Sequence, residues 1–291
     1  MEQRPITVTS ETAQDAVSRP LAIRWAWLFV LLMVLTSGWQ AWDSYQAAIR
    51  AGQTLATALA RVAEERINGS LRSVDTLLRD LISQVPDVEH VDASVIDAYL
   101  GVRLMSFPEL RGIALIAPQG MMSYYSFHNM PGVDLSERPH FVYQRDNYRL
   151  NRLYVSEPQI DRVTNNYSIF ATRPILSDDK AFRGVASAVV LPEFFDGVLR
   201  SQAAVCPCDA LIVSVQGAVV ARYPGGGGAI GSHLPDGSSL SSHMVAAENG
   251  VYSETGEDGD SRIVAFRRLP DLSLVVAIGV SAKSALEEWR R

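Results

Sequence analysis

The spacing of apolar residues along this chain changes twice, and each change marks a different kind of element. Residues 25–42, WAWLFVLLMVLTSGWQAW, form the one stretch long and apolar enough to cross a bilayer. From Ala47 to about Val85 the pattern becomes helical. Ile67, Leu71, Val74, Leu78, Leu81 and Val85 alternate spacings of four and three, which places them on one seam of a helix continuing straight out of the apolar stretch. Such a seam predicts either a parallel homodimer or a helix packed on its own domain. Pro86 is the expected stop. A second helix is expected from about Asp92 to Met105, with Val95, Tyr99 and Val102 on its apolar face.

Strand signals then take over. LRGIALIA (110–117), a turn at Pro118-Gln119-Gly120 and a return from Met121 to Phe127 read as a hairpin. A short helix from about Arg138 is followed by strands near Leu153–Glu157, Tyr167–Leu176 and Gly184–Leu191. Pro192 opens another helix, PEFFDGVLRS. The theme then repeats. Ala210–Val215 and Ala218–Tyr223 make a second hairpin with Gln216-Gly217 in the turn, where the first has Gln119-Gly120. Strands follow at about Val251–Glu254, Arg262–Leu269 and Leu274–Ser281. The expected class is α+β, with an N-terminal transmembrane helix, a long stalk helix and two antiparallel-sheet modules forming an internal repeat.

A crossing of roughly 30 Å needs about 20 helical residues. Leu21–Tyr45 supplies them, with Trp25, Trp27, Trp39 and Trp42 at the two interfaces. An uncleaved anchor is the expectation rather than a signal peptide, since Trp39 and Trp42 crowd the cleavage zone and no A-x-A site follows a smooth apolar run. Arg19 and Arg24 precede the span and Asp43 follows it, so the N-terminus is expected in the cytoplasm and the bulk of the chain outside.

The formal net charge of -6, with Lys and Arg dispersed beyond the membrane, argues against a nucleic-acid partner. Two cysteines occur, in Cys206-Pro207-Cys208, and they either pair or remain thiols of an irregular loop. They cannot complete a four-ligand zinc site. The run PGGGG (224–228) lacks the lysine of a phosphate-binding loop. The five histidines, His90, His128, His140, His233 and His243, are isolated, and no catalytic motif is present. No cofactor, metal or enzymatic activity is expected.

A membrane span, a long helix and then IALIAPQGMMSYYS, DLSERPHF, YVSEPQIDRVTNNYSIFATRPI and FRGVASAVVLPEFFDGVL resemble the double Cache, PAS-like periplasmic sensor domains of bacterial receptors. LIVSVQGAVVARYP with RIVAFRRLPDLSLVVAIGVS is similar to the membrane-proximal module of those domains. The resemblance covers about residues 45–285 and is closest to sensors placed ahead of histidine kinases and diguanylate cyclases. It implies a cytoplasmic tail at 1–20, the span at 21–45, a stalk at 46–91, a membrane-distal module at 92–203, a membrane-proximal module at 204–282 and a helical start at 283–291. It also implies residence in the bacterial inner membrane.

Relatives that bind amino acids carry an R-x-W-[YF] cluster in the distal pocket, a tyrosine five residues before its arginine, and aspartates in later strands. Arg138, His140 and Phe141 fall on the cluster and Asp161 near the first aspartate. Val133 stands at the tyrosine position, and Ala186, Ser187 and Ala188 where a later acid belongs. The resemblance thus implies a small organic anion rather than an amine. Arg138 either grips a ligand carboxylate through its guanidinium fork or fixes its loop by pairing with Glu137 or Asp134. Asp161 either accepts from a ligand or caps the turn to Asn166. Tyr124 and Tyr154 are expected to border the same cleft. The expected function is a small-molecule input region of a signalling receptor, acting as a homodimer. The other reading is a membrane-anchored periplasmic binding or interaction protein without signalling output.

Overall fold

The computed structural model describes residues 15–85, 88, 92–126, 132–225, 230–256, 259–270 and 272–283. Pro86, Phe127, the glycine run at 226–228 and the C-terminal helical start from Ser284 lie outside these, as do His90 and His128.

One helix of 70 residues, α1 (Asp15–Gln84), takes in the whole apolar stretch and the seam beyond it. At 1.5 Å per residue it is about 105 Å long. Every residue from Trp27 to Asp43 is exposed on it. Among the described residues, no helix is long and apolar enough to cross a membrane, so the transmembrane helix expected at Leu21–Tyr45 is not shown by the fold. Further along, Ile67, Leu71, Val74, Leu78 and Leu81 are fully buried. They share a core with Ile113, Leu115, Ala186 and Ala188 of one sheet and Ile212, Val276 and Ile278 of another. The seam is thus occupied by the chain's own sheets, and each such side chain contributes about 1.5–3 kcal/mol of burial.

The first sheet has the order β2-β1-β6-β5-β3, with β4 pairing β5. Its strands are β1 (Leu110–Ile116), β2 (Met122–Tyr125), β3 (Tyr154–Val155), β4 (Gln159–Ile160), β5 (Tyr167–Leu176) and β6 (Phe182–Val190). The second sheet, in the order β8-β7-β11-β10-β9, consists of β7 (Cys208–Ser214), β8 (Val219–Tyr223), β9 (Asn249–Thr255), β10 (Ser261–Leu269) and β11 (Leu274–Ser281). With β4 set aside, the two orders are the same once numbered from each hairpin. The repeat extends to single hydrogen bonds. The Gly120 amide donates to Ala117 O as the Gly217 amide does to Ser214 O, Met122 N–H to Val133 O as Val219 N–H to Ser232 O, and Leu135 N–H to Gly120 O as Leu234 N–H to Gly217 O. In each sheet, therefore, the chain leaving the hairpin folds back across the turn before entering a helix, α3 (Pro139–Asn147) or α5 (Ser239–Ala246).

Both sheets lie against α1 on one face. Glu64 and Asp75 are eleven residues apart, about three turns, and so point the same way. Arg267 of β10 pairs with Glu64 and Arg173 of β5 with Asp75. Helix α4 (Pro192–Ala203) joins the sheets and adds Phe195, Val198 and Leu199 to the common core. The opposite faces form separate clusters, one beneath α3 and one beneath α5. The sheets also touch directly. Ser214 Oγ donates to Glu157 Oε1 at 2.6 Å, and the Tyr167 ring covers Gly231, where a Cβ would stand 2.8 Å from ring carbon at φ +79°.

Three local expectations change. In α2 (Ala93–Arg103) the buried residues are Ile96 and Leu100, while Val95 and Val102 are exposed; the apolar face is rotated from the expected one. The strand expected at Leu153–Glu157 is a two-residue bridge, and β4 follows it. Helix α5 has no counterpart in the sequence reading. The two cysteines, at the crossing from α4 to β7, form a disulfide with a Cα–Cα distance of 5.4 Å, inside the usual span for such bridges.

Candidate functional site

Beneath α3 the first sheet does not close on itself. A narrow cleft there, open at its mouth, has a cavity volume of about 20 Å³. Its floor is Ala114 and Ile116 of β1, Met122 and Tyr125 of β2, Ser187 and Val189 of β6 and Phe170 of β5. Leu135, Arg138, His140, Asp161, Arg162 and Val163 complete the lining.

The loop that carries Arg138 is positioned by the hairpin turn. Gly120 has φ +95°, and a Cβ there would fall 2.4 Å from the Ser136 Cα. Only glycine lets the two backbones approach this closely. Leu135 N–H then bonds to Gly120 O, and Arg138 N–H to Leu135 O. Arg138 occupies the N-cap of α3, just before Pro139, and makes no side-chain cap. A guanidinium has donors only and cannot satisfy the free amides of a helix start.

The side chain of Arg138 instead donates from Nη2 to Ile160 O at 2.6 Å. It has no carboxylate within ion-pair distance among the described residues. Burial lowers its pKa, the neighbouring Arg162 lowers it further, and Asp161 opposes both. Arg162 donates to the Asp134 carbonyl. Asp161 is 5 % exposed, and its carboxylate accepts from Val163 N–H at 3.0 Å and Thr164 Oγ1 at 2.9 Å. The turn-capping role of Asp161 is therefore filled while one of its edges faces the cleft. Two guanidiniums and one committed carboxylate leave the rim with an excess of positive charge.

His140, another lining residue, is almost fully buried, at 1 % exposure. Its ring stacks on Phe170 with centroids 4.2 Å apart and planes at 15°. Neither ring nitrogen has a hydrogen-bond partner. Burial, with the charge of Arg138, pushes its pKa down to about 3; the Gln159 side chain favours the charged ring but is too weak to offset this. Gln159 Oε1 is itself without an acceptable bond. Gln159 is thus a polar neighbour of the ring rather than a bonded partner. Ser187, also 1 % exposed, has an unpartnered hydroxyl. Burial and the Asp161 charge push the Tyr125 phenol up to about 12, against Arg111.

Of the six residues singled out from sequence, the structure brings Arg138, His140 and Asp161 to one cleft. It does not bring the other three. Phe141 packs under α3 against Phe182. Tyr154 stacks on Tyr143 at 3.8 Å outside the cleft. Tyr124 turns to the α1 side and donates to Asp97 of α2, so the tyrosine of this strand that borders the cleft is Tyr125. The pairing of β1 with β2 shifts register between Leu115 and Ile116. This bulge breaks the alternation and places Met122 and Tyr125, rather than Met122 and Tyr124, on one face. Arg162 and Phe170 were missed as well. Ser187, a hydroxyl on the same face as Val185 and Val189, carried a signal as a polar residue in an otherwise apolar strand. Among the described residues, no group of three His, Cys, Asp or Glu side chains could hold a metal.

Residues 42–289 match the Cache domain family. The fold superposes on the extracellular domain of a protein described as a histidine kinase, rpHK1S-Z16, with a TM-score of 0.73 and 22 % identity over 84 % of this chain and 100 % of that one. It is also similar to the ligand-binding domain of the Campylobacter jejuni chemoreceptor Tlp3 in complex with 4-methylisoleucine (TM-score 0.60, 15 % identity, 83 % and 94 % covered). A third likeness is to that of the Pseudomonas aeruginosa PAO1 amino acid chemoreceptor PctC in complex with GABA (0.57, 20 %, 78 % and 99 %). No curated protein sequence matches the chain significantly. Identities this low speak for the fold alone, but the family match covers most of the chain and agrees with the repeated sheets, so the chain belongs to the Cache domain family, with the two-sheet organisation of a double Cache sensor.

Proposed function

We propose that the chain is the extracytoplasmic input region of a transmembrane receptor, of the kind placed ahead of histidine kinases and diguanylate cyclases, and that its first sheet binds a small organic anion. The observation that carries this reading is Arg138, a guanidinium at the rim of a cleft, set where a helix cap belongs and bonded only to one backbone carbonyl. The ligands named for Tlp3 and PctC, 4-methylisoleucine and GABA, both carry a carboxylate, for which Arg138 is the matching group. Both also carry an ammonium, for which this cleft offers only Asp161, already engaged by its turn. A plain carboxylate is the better fit.

The full chain in detergent micelles is to be screened by thermal shift against organic acids and amino acids, and the hits titrated by calorimetry. Arg138→Ala is expected to cost about 2–5 kcal/mol of binding, as for truncating one side of a buried charged pair. Asp161→Ala is expected to leave binding unchanged; its loss would point to an amine. Full affinity in a folded Arg138→Ala protein would remove Arg138 from the site.

On the same reading residues 21–45 span the inner membrane, with 1–20 cytoplasmic and the rest periplasmic. The exposed apolar side chains from Trp27 to Trp42 on α1 support this, as do the arginines that precede them in the sequence. Residues 46–91 are then the stalk, 204–282 the membrane-proximal module, whose Arg267 holds Glu64, and 92–203 the distal module, whose Arg173 holds Asp75 further along the stalk. With the seam already occupied, a homodimer must use the other face of α1, where Leu55, Ala58 and Val62 are exposed at heptad spacing. A cysteine at Ala58 is expected to join two chains in intact cells treated with a membrane-impermeant bifunctional maleimide. Cross-linking only with a permeant reagent would invert the topology, and none with either would show that α1 serves its own domain alone.

A further inference from the structure

The cleft has two chemically different ends. Charge is confined to the rim, where Arg138, Asp161 and Arg162 meet partly open space. The inner wall holds His140 and Ser187, each 1 % exposed, both facing the cleft, with both imidazole nitrogens and the serine hydroxyl unpartnered. Buried polar atoms normally find partners, and leaving one without any is costly. Three such atoms on the wall of one cleft mark the place where something else completes the bonding.

The chemistry of those atoms limits what completes it. The imidazole is neutral, since burial and Arg138 both disfavour its charged form. A neutral imidazole offers one donor and one acceptor, and a hydroxyl offers one donor with acceptor capacity. A second carboxylate could accept from the imidazole N–H and the serine hydroxyl but would leave the acceptor nitrogen without a donor. An ammonium would have only Asp161, already engaged by its turn. An alkyl end would bury all three groups unpaired. What matches is an uncharged group able to donate and accept together, lying against the flat stack of His140 on Phe170.

We propose that the ligand of this cleft is a carboxylic acid bearing an uncharged hydrogen-bonding group, a hydroxyl or a carboxamide, which is held at the inner end by His140 and Ser187. This rests on the reading above that Arg138 binds the carboxylate, and it adds what the other end of the molecule must be.

The probes are straight-chain monocarboxylates of three to six carbons, their hydroxyl- and carboxamide-bearing counterparts, and dicarboxylates of the same lengths, titrated into the full chain in micelles by calorimetry. At least one hydroxyl or carboxamide acid is expected to bind about tenfold or more tightly than its unsubstituted parent and its dicarboxylate counterpart. Ser187→Ala and His140→Phe are each expected to shrink that preference severalfold, whereas Arg138→Ala weakens substituted and parent acids alike. Acids that bind through Arg138 with no such preference, or a preference untouched by Ser187→Ala in a folded protein, overturn the inner-end assignment alone. Failure of every acid to bind overturns it together with the anion reading on which it rests.

Discussion

The two sheets share a topology, a turn and a fold-back loop, yet the face beneath α3 borders a cleft with polar walls and the face beneath α5 carries an apolar cluster. Strand pairing makes the comparison position by position. Ala114 pairs with Ser187 and Ser187 with Thr172 in the first sheet, where Leu211 pairs with Ala277 and Ala277 with Phe266 in the second. On the covering helices, α3 buries His140 and Gln144 beside Phe141, where α5 buries Leu240 and Met244. At the helix caps Arg138 faces Ser238, and the serine accepts from Ser241 N–H as an ordinary cap does. Five small or polar positions of the first sheet are thus replaced by apolar or larger ones in the second, and Leu211, Leu240, Met244, Phe266 and Ala277 form one dry cluster there. The difference teaches that binding here is a matter of filling, not of fold. The same scaffold becomes a strut when its covering helix is apolar and a receptor when it is polar.

The largest expected effect tests the one feature that the sheets share most closely. Arg173 and Arg267 hold equivalent strand positions and grip α1 three turns apart, but Arg173 has only 5 % of its side chain exposed and Arg267 has 28 %. Arg173 also donates to the Asn151 side-chain and backbone oxygens. Removing one member of a buried pair costs about 3–5 kcal/mol, while a partly exposed pair is worth about 1 kcal/mol or less. Urea denaturation should therefore show Arg173→Ala far more damaging than Arg267→Ala. Equal losses would mean that the two anchors are equivalent and that the contrast in burial carries no weight.

A second contrast is one of pH. His140 has a folded-state pKa near 3, well below the ordinary value of about 6.5. The unfolded chain therefore binds a proton that the folded chain does not, and stability rises with pH across that window. It is fully present above about pH 6.5 and is lost as pH falls toward 3, by roughly 1.4 kcal/mol per unit. Arg138 and Arg162 at the rim and Asp161 beside them face the same cleft, and Arg138 reinforces the neutral ring. His140→Leu installs the residue that the second sheet already has. Its melting temperature should fall less between pH 7 and pH 4 than that of the parent, whereas parallel curves would show that His140 is not held neutral.

How much of this was legible follows from where local pattern decides structure. The seam from Ile67 to Val85 and the long apolar strands of both sheets were readable because burial on α1 repeats at fixed spacing. Residues β5 (Tyr167–Leu176) and β11 (Leu274–Ser281) fall where their patterns put them. Helix α2 was readable as a helix but not by face, because Val95, Ile96, Tyr99, Leu100 and Val102 surround it with apolar groups. Helix α5 was hidden, since SLSSHMVA has just Leu240 and Met244 to mark a buried face. In the site, Arg138, His140 and Asp161 stood on recognisable positions. Tyr125 was lost to Tyr124 through a bulge that alternation cannot anticipate, and Arg162 and Phe170 come to the cleft from chain segments whose meeting is purely tertiary.

The smallest expected effect is also the sharpest use of the comparison, because it exchanges the two caps. Ser238→Arg removes the bond to Ser241 N–H, and loss of a serine cap costs about 1 kcal/mol. It should lower stability by that amount and leave ligand binding untouched. The reverse exchange, Arg138→Ser, gives α3 the cap it lacks, a gain of about the same size. It also removes the bond from Arg138 to the Ile160 carbonyl, a loss of about 1.5–3 kcal/mol for a charged donor at most and less at a partly open rim. The two nearly offset, so denaturation midpoints should move little while calorimetry shows the anion affinity gone. If arginine holds this position to stabilise its loop, Arg138→Ser will instead unfold more easily and bind with full affinity once folded. A cap given up without loss of the fold, at the one helix start that borders the cleft, is what an arginine placed for a ligand predicts.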